Sequence, residues 1–563
     1  MLGFGTGQLW EPPLVEAELD HDREDLGPTD IQRLVASIGL AARVAELPSP
    51  RVPWLPELCP VYDLAPMLTE GRDDTLVFGV ADDPENQTQP VVAFNPDKEG
   101  NLAVFGASGS GKSALLRTIA LAAGHTVRGG PCHVYGVDFG NHALSMLESL
   151  PHVGSIVSGA DHERLTRLLT FLRQTVDERA VRYSRASAAT ITDYRRIADA
   201  PDEPRIVVLV DGLTAFRQAY ETGSKVRWLD LFTSLAAEGR PVGVHFVISV
   251  DQRTGMPSSL ASAVQRRVVL RMAHPDDYGF LGVAGDVLSM ASPAGRGLLN
   301  GAEIQCAVPG GTSEVATQCR AVSAFGDALR EAGVRETPAI GSLTERVLME
   351  TLPCEVGGRP VLGIGSTSLT PQPFEPRGSF VVTGPSGSGR TTSLASLARS
   401  LHRWNAAMSL YLVTSKRSSE LATLSDWAEV AAGPEAVVVL AARLQAEMHE
   451  DGHRGAIAVV IERVDDLAGT SAESSLSGLA KACIDNDQLV VAEGETMFFS
   501  SSFGLPGLLK TSRSGLALQP EGIEGQTIFR SGFPAFTRAD IPRGRGFLVE
   551  RGRPEMLQVA MPG

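Results

Sequence analysis

The 563-residue chain carries 66 acidic against 50 basic side chains, a net charge of −16, with 43% hydrophobic residues. That is enough apolar material for several cores, and the acidic balance argues against a constitutive nucleic-acid binder, which needs a basic stripe to neutralise phosphates. Six cysteines without a CxxC read as reduced thiols, no apolar run approaches a bilayer span, and "MLGFGTGQLWEPP" lacks the charged start and apolar core of a signal peptide.

In chain order, residues 1–73 read as a lead-in. "TDIQRLVASIGLAARVAEL" (29–47) predicts one amphipathic helix with its N-cap at Thr29 or Asp30, followed by the proline-rich, extended "SPRVPWLPEL" (49–58). Residues 74–312 predict an α/β unit. After a β-rich stretch (74–104), the apolar "LAVF" (102–105) runs into "GASGSGKS" (106–113) and then the helical "ALLRTIALAA" (114–123). The loop Gly106, Ala107, Ser108, Gly109, Ser110, Gly111, Lys112 and Ser113, with Ala114 behind it, has the form GxxxxGK(S/T). Glycines let backbone N–H groups cradle a polyphosphate, the lysine reaches the outer phosphates, and the hydroxyl helps hold Mg²⁺. Glycine is abundant here at 58 residues, so the glycines alone prove little; only six lysines occur, and one stands where the loop needs it.

"ERLTRLLTFLRQTV" (163–176) places Leu165, Leu168, Leu169, Leu172 and Val176 on one helical face. The strand "RIVVLVDG" (205–212) ends in Asp211, where a carboxylate can act with Ser113 on the metal. Gly212 follows, at a place where many hydrolysing motors of this type carry a glutamate, so binding with slow turnover is expected. "GVHFVISVDQR" (243–253) ends beside Asp251 and Gln252, and Gln252 is the candidate sensor of the γ-phosphate, completing a catalytic set of Lys112, Asp211 and Gln252. Arg253, Arg266 and Arg267 are candidates for charge supplied in trans, surface solvation being the plainer alternative. "GRGLL" (295–299) closes the unit.

Residues 313–350, with "AFGDALREAG", predict a helical connector. Residues 351–563 then repeat the plan: a β-rich stretch (351–383), "GPSGSGRTT" (384–392), the helical "SLASLARSL" (393–401), a shorter helical counterpart near 433–449, "GAIAVVIERVDD" (455–466) and "GRGFL" (544–548). The interval from loop to strand end is about 27 residues shorter than in the first unit. Gly384, Gly387 and Gly389 keep the cradle and Thr391 the hydroxyl. Arg390 replaces the lysine with a bulkier planar fork, and the strand end offers Glu462, or Asp465 in a shifted register. This copy reads as degenerate, able to hold nucleotide without turnover. The fold class is α/β: two tandem RecA-like P-loop ATPase domains with mainly parallel central sheets flanked by helices.

The tandem loops, together with "VDFGNHALSMLESLPHVGSIV" (137–157), "VVLVDG" (207–212), "RRVVLRMAHPDDYGFLG" (266–282) and the paired GRG strands, resemble the FtsK/SpoIIIE-type ATPases of type VII (ESX) secretion, the EccC family, over about residues 50–563. The resemblance implies a membrane-associated motor of several RecA-like units that uses ATP and Mg²⁺, recognises small WXG100-type substrates and assembles into oligomers such as hexamers. This chain would hold the second and third units, as an EccCb-like half or a truncated product. It would sit in the cytoplasm at the inner face of the plasma membrane, through a partner ATPase subunit that carries the membrane part. The last unit would recognise the substrate's signal, though no motif marks the residues that do so. Two rivals remain: a DNA translocase of the same class, disfavoured as neither a basic channel nor a winged-helix end domain is evident, and a nucleotide-dependent scaffold, which Gly212 keeps open.

Overall fold

A computed structural model describes residues 28–47, 54–69, 71–126, 129–423, 427–451, 457–533 and 541–562. The N-terminal helix, Asp30–Val44, starts where a capping box forms: Thr29 accepts from the backbone of Gln32, whose side chain accepts from the backbone of Thr29. No residue of this helix is buried. The first part of the proline-rich stretch, 48–53, lies outside the described residues.

The rest of the described chain builds two eleven-stranded sheets that share most of their strand order. The first contains β1 (Tyr62–Asp63), β2 (Leu76–Ala81), β3 (Val91–Phe94), β4 (Leu102–Phe105), β5 (Cys132–Asp138), β6 (Val153–Ser158), β7 (Arg205–Asp211), β8 (Val244–Val250), β9 (Arg266–Leu270), β10 (Arg296–Leu299) and β11 (Ala302–Val308). Its order is β3-β2-β11-β10-β9-β4-β8-β7-β5-β6, with β9 through β6 parallel and β10, β11, β2 and β3 antiparallel. The second contains β12 (Glu355–Val356), β13 (Arg359–Gly365), β14 (Pro371–Pro373), β15 (Gly378–Thr383), β16 (Ser409–Thr414), β17 (Trp427–Ala432), β18 (Ile457–Glu462), β19 (Leu489–Gly494), β20 (Gly515–Leu518), β21 (Arg545–Glu550) and β22 (Arg553–Val559). Its order, β12-β13-β22-β21-β20-β15-β19-β18-β16-β17, repeats the first from β13 inward. The outer edge differs, since β3 follows β2 in the chain whereas β12 precedes β13, and the side strand is β1 on β11 in one sheet and β14 on β13 in the other.

The central parallel strands β7, β8 and β18 are buried on both faces, which is why they read as continuous apolar runs. On β4, Ala103 and Phe105 face the core under the helices His162–Arg185, Leu213–Tyr220 and Val226–Glu238, while Leu102 and Val104 face that under Lys112–Gly124. On β15, Val381 alternates with Phe380 and Val382 in the same way. The leucine face expected on helix 162–185 is buried throughout. The connector forms an α-helix over Val315–Glu331; Gly333, at φ 84, breaks it, and residues 334–348 run on without helix before a 3-10 turn at Met349–Thr351. Among the described residues no helix is long and apolar enough to cross a membrane. The six cysteines are free thiols, three of them buried.

Candidate nucleotide sites

Each phosphate loop leaves the central strand of its sheet, β4 or β15, at the carboxyl end, where the neighbouring connections diverge to opposite faces and open a crevice. In the first loop Gly109 and Gly111 stand at φ 72 and 109, a region glycine enters without strain. A Cβ on Gly111 would lie 2.6 Å from the backbone nitrogen of Gly295, and one on Gly106 2.3 Å from Ser110 Oγ. Gly111 in particular leaves no room for a side chain, meeting backbone at that distance.

Lys112 is buried, and its Nζ donates to the carbonyls of Gly106 and Ala107 at 2.7 and 2.9 Å while pairing with Asp251 at 2.9 Å. Ser113 Oγ donates to Asp211 Oδ2 at 2.6 Å, and Ser249 Oγ donates to Asp211 Oδ1 at 2.5 Å. Ser249 also accepts from the backbone of Gly212 at 2.8 Å, so one β8 hydroxyl fixes both the strand-end carboxylate and the turn behind it. Lys112, Ser113, Asp211, Gly212 and Asp251 line a cavity of about 530 Å³ whose wall also includes Ser108, Ala114, Arg117, Pro60, Val61, Gln305 and Gln318. The hydroxyl, carboxylate and ammonium that a metal–triphosphate needs thus converge in one crevice, so the residues present fit that group.

Gln252 is not brought in: it is exposed and does not line the cavity, whereas its neighbour Asp251 does. Strand alternation and the turn after β8 decide this. Arg253 stacks over Phe280 and Arg266 pairs with Glu99 at 3.4 Å, while Arg267 is exposed. Two contributors escaped the sequence reading. Arg271, at the end of β9, donates to the carbonyl of Gly109 at 2.9 Å and to those of Met290 and Ser292, bracing the loop from outside. Arg296, the GRG arginine, donates to the carbonyls of Leu58 at 2.7 Å and Cys59 at 3.4 Å and to Gln305, strapping the lead-in beside the pocket. Only the repeat of GRG hinted at it.

The second loop keeps the backbone and changes the chemistry. Gly387 and Gly389 again stand at positive φ, 82 and 103. The last parallel rows pair Asp138 with Asp211 in one sheet and Thr414 with Glu462 in the other, so Glu462, not Asp465, is the counterpart of Asp211. Likewise Phe105–Val250 matches Thr383–Gly494, which puts Glu493 where the first sheet has Ser249. Arg390 Nε pairs with Glu493 at 3.0 Å, and Glu493 also accepts from the backbone of Arg463 at 2.9 Å. Burial raises the Glu493 carboxyl, an effect the Arg390 charge offsets in part. Glu462 is drawn the other way, accepting from Thr414 at 2.7 Å and Ser419 at 2.6 Å, with Lys416 3.7 Å away. Among the described residues nothing joins it to Thr391.

The cavity here, about 410 Å³, is lined by Gly389, Thr392, Arg543, Gly544 and Gln558 but not by Arg390, Thr391 or Glu462. Its wall is again the incoming chain: Glu345 and Arg346 line it, and Arg545 donates to the carbonyls of Leu343 and Thr344 at 2.8 and 3.2 Å. Arg545 also reaches Glu163 of the first half at 3.6 Å.

Two parallel-sheet P-loop units with these sites define a class. Residues 63–291 match the FtsK/SpoIIIE family and form an FtsK/SpoIIIE domain. More particularly, the chain is similar to EccC proteins of ESX secretion systems. It is 27% identical over 370 residues to the ESX-4 secretion system protein EccC4 of Mycobacterium tuberculosis, covering 63% of this chain but 28% of that protein. It is 23% identical over 406 residues to the ESX-1 secretion system protein EccCb1 of the same organism, covering 68% of this chain and 67% of that one. The fold matches the cytoplasmic domain of the type VII secretion ATPase EccC of Thermomonospora curvata with a TM-score of 0.72 at 22% identity, over 96% of this chain and 68% of that one. It also matches ATPases 2 and 3 of the same EccC, solved with a signal sequence peptide, with a TM-score of 0.68 at 22% identity, over 92% and 98%.

Proposed function

We propose that this chain is a component of an ESX secretion motor in which residues 74–312 bind Mg–ATP with slow turnover, and residues 351–563, joined through 313–350, form a recognition or regulatory unit without turnover. The observation that carries the reading is the contrast between Ser113–Asp211, a hydroxyl and carboxylate left together beside the lysine, and Arg390–Glu493, a pair that neutralises the corresponding cation. Ser113 and Asp211 would hold the Mg²⁺, which supplies charge neutralisation at the outer phosphates when bound. Lys112 would exchange its contacts with the loop carbonyls and Asp251 for the β- and γ-phosphate oxygens.

Slow turnover follows from Gly212. Glycine cannot polarise a water, and at φ 88 with Phe139 Cβ 3.3 Å from where a Cβ would stand, the position disfavours any side chain. The relatives are named as ESX secretion system proteins, which supports membrane-associated partners. We extend this, as part of the proposal, to a partner ATPase subunit bearing the membrane part, a place at the inner face of the membrane and assembly into oligomers. The Thermomonospora protein was solved with a signal sequence peptide, which supports recognition of a secreted substrate's signal by this chain. That the second unit does so, and that the substrates are of the WXG100 type, is part of the proposal.

Titration calorimetry of the chain with a non-hydrolysable ATP analogue and Mg²⁺ tests this. One strong site is expected; Lys112→Ala weakens it roughly ten- to hundredfold, the worth of a charge-assisted contact, while Arg390→Ala leaves it unchanged. Two sites of comparable affinity, each lost with its own substitution, would overturn the reading of the second copy.

A further inference from the structure

Two buried polar side chains in the wall of the first cavity lack partners that their chemistry demands. Arg117 is 7% exposed, yet its hydrogen bonding among the described residues is limited to a 3.7 Å contact from Nη1 to the Met146 thioether, and its Nε has no partner. Gln318 is 2% exposed; its Nε2 donates to the carbonyl of Thr312 at 2.7 Å and its Oε1 has no partner. Because a carbonyl can only accept, that contact fixes the amide: nitrogen toward Thr312, oxygen left as the spare acceptor. Unmatched buried groups of this kind are costly and rare in native proteins.

Both residues line the same cavity as Lys112 and Ser113, with Pro60, Val61 and Gln305. Arg117 stands on the helix that leaves the loop, five residues beyond Lys112. The same step from Arg390 reaches Ala395, so the second site has no such group. The rest of a nucleotide whose triphosphate sits on the loop has to lie in the remainder of this cavity.

We propose that Arg117 and Gln318 are the specificity-determining residues of the first site and read an adenine base there, an inference that rests on the nucleotide-site reading above. Gln318 Oε1 accepts from the exocyclic 6-amino group, and the Arg117 guanidinium donates to a ring nitrogen. The arrangement rejects a 6-oxo purine, which would set a second acceptor against Oε1.

Calorimetric titration of the full chain in Mg²⁺ with ATP, ITP and tripolyphosphate tests this, with Gln318→Leu and Arg117→Met beside the unaltered protein. ATP is expected to bind at least about tenfold tighter than ITP, as a mismatched hydrogen-bonding edge costs on that order or more. Gln318→Leu brings the ratio close to one, and Arg117→Met weakens both nucleotides about tenfold while tripolyphosphate affinity holds in each variant. Equal ATP and ITP affinities in the unaltered protein, or an unchanged ratio in Gln318→Leu, overturn the base-reading role and leave the nucleotide site standing. Failure of the unaltered protein to bind ATP and tripolyphosphate overturns both. Thermal melts check the fold, and should Arg117→Met not fold, the ratio in Gln318→Leu decides.

Discussion

At Arg390 a single substitution in the loop changed more than one contact. A planar fork beside a serine would be free to meet phosphate; beside Glu493 it is neutralised within the fold, with Nη1 buried and unpartnered. Restoring the lysine alone is therefore expected to fail, because the ammonium inherits the same carboxylate. Arg390→Lys combined with Glu493→Ser should raise the second site's affinity for an ATP analogue at least about tenfold over Arg390→Lys, measured by calorimetry in a Lys112→Ala background. The sequence showed Arg390 as a departure, because the motif around it is nearly intact. It could not show Glu493, which reaches the loop only through the parallel register of β15 with β19. Asp251 and Gln252 illustrate the same limit: adjacent letters, and only the turn after β8 decides which one enters the pocket.

At the scale of elements, the two loops share a backbone path but differ in tightness. Gly111 and Gly389 both sit near φ 105, but a Cβ on the first meets the nitrogen of Gly295 at 2.6 Å and on the second meets that of Gly544 at 3.4 Å. Gly111→Ala should cost about 1–3 kcal/mol or more in denaturant unfolding of the first half, and Gly389→Ala distinctly less in the second. Equal losses would show that strain alone, not the neighbouring GRG turn, sets the demand. The strands, the helical leucine face and both loops were legible because each is a local pattern of period or spacing. The braces at Arg271 and Arg296 were not, because carbonyl acceptors leave no trace in a sequence. The connector departs from the expected helix past Gly333 for a similar reason: its later residues are held by contacts with both halves rather than by their own propensity. Arg167 donates to the carbonyls of Gly341 and Ser366.

Across the whole molecule the halves differ in how they tolerate acid. Burial pushes His133 and His152 down to about 4, and burial with the Arg205 charge pushes His245 to about 3. All three belong to the first half, and no strand of the second sheet carries a histidine. Folding holds them neutral while the unfolded chain protonates near 6.5, so their contribution to stability is full above that pH. It is lost as the pH falls toward 4, at up to about 1.4 kcal/mol per pH unit for each. Native-state hydrogen exchange at pH 7, 5.5 and 4.5 should show protection falling in β5 and β8 sooner than in β16 and β19; parallel loss in both halves would contradict this.

The straps across the two pockets have a practical consequence for dissection. Val347, Met349 and Leu352 pack with Val361 and Ala560, Leu348 bridges to Met561, and Arg545 grips Leu343 and Thr344. A fragment cut at 351, where the repeat begins to read as sequence, would leave that core short and one face of its cavity bare. A fragment beginning before 340 would carry its own lining. Each repeat is finished by residues that precede it, so the natural seam of this protein lies upstream of its motifs.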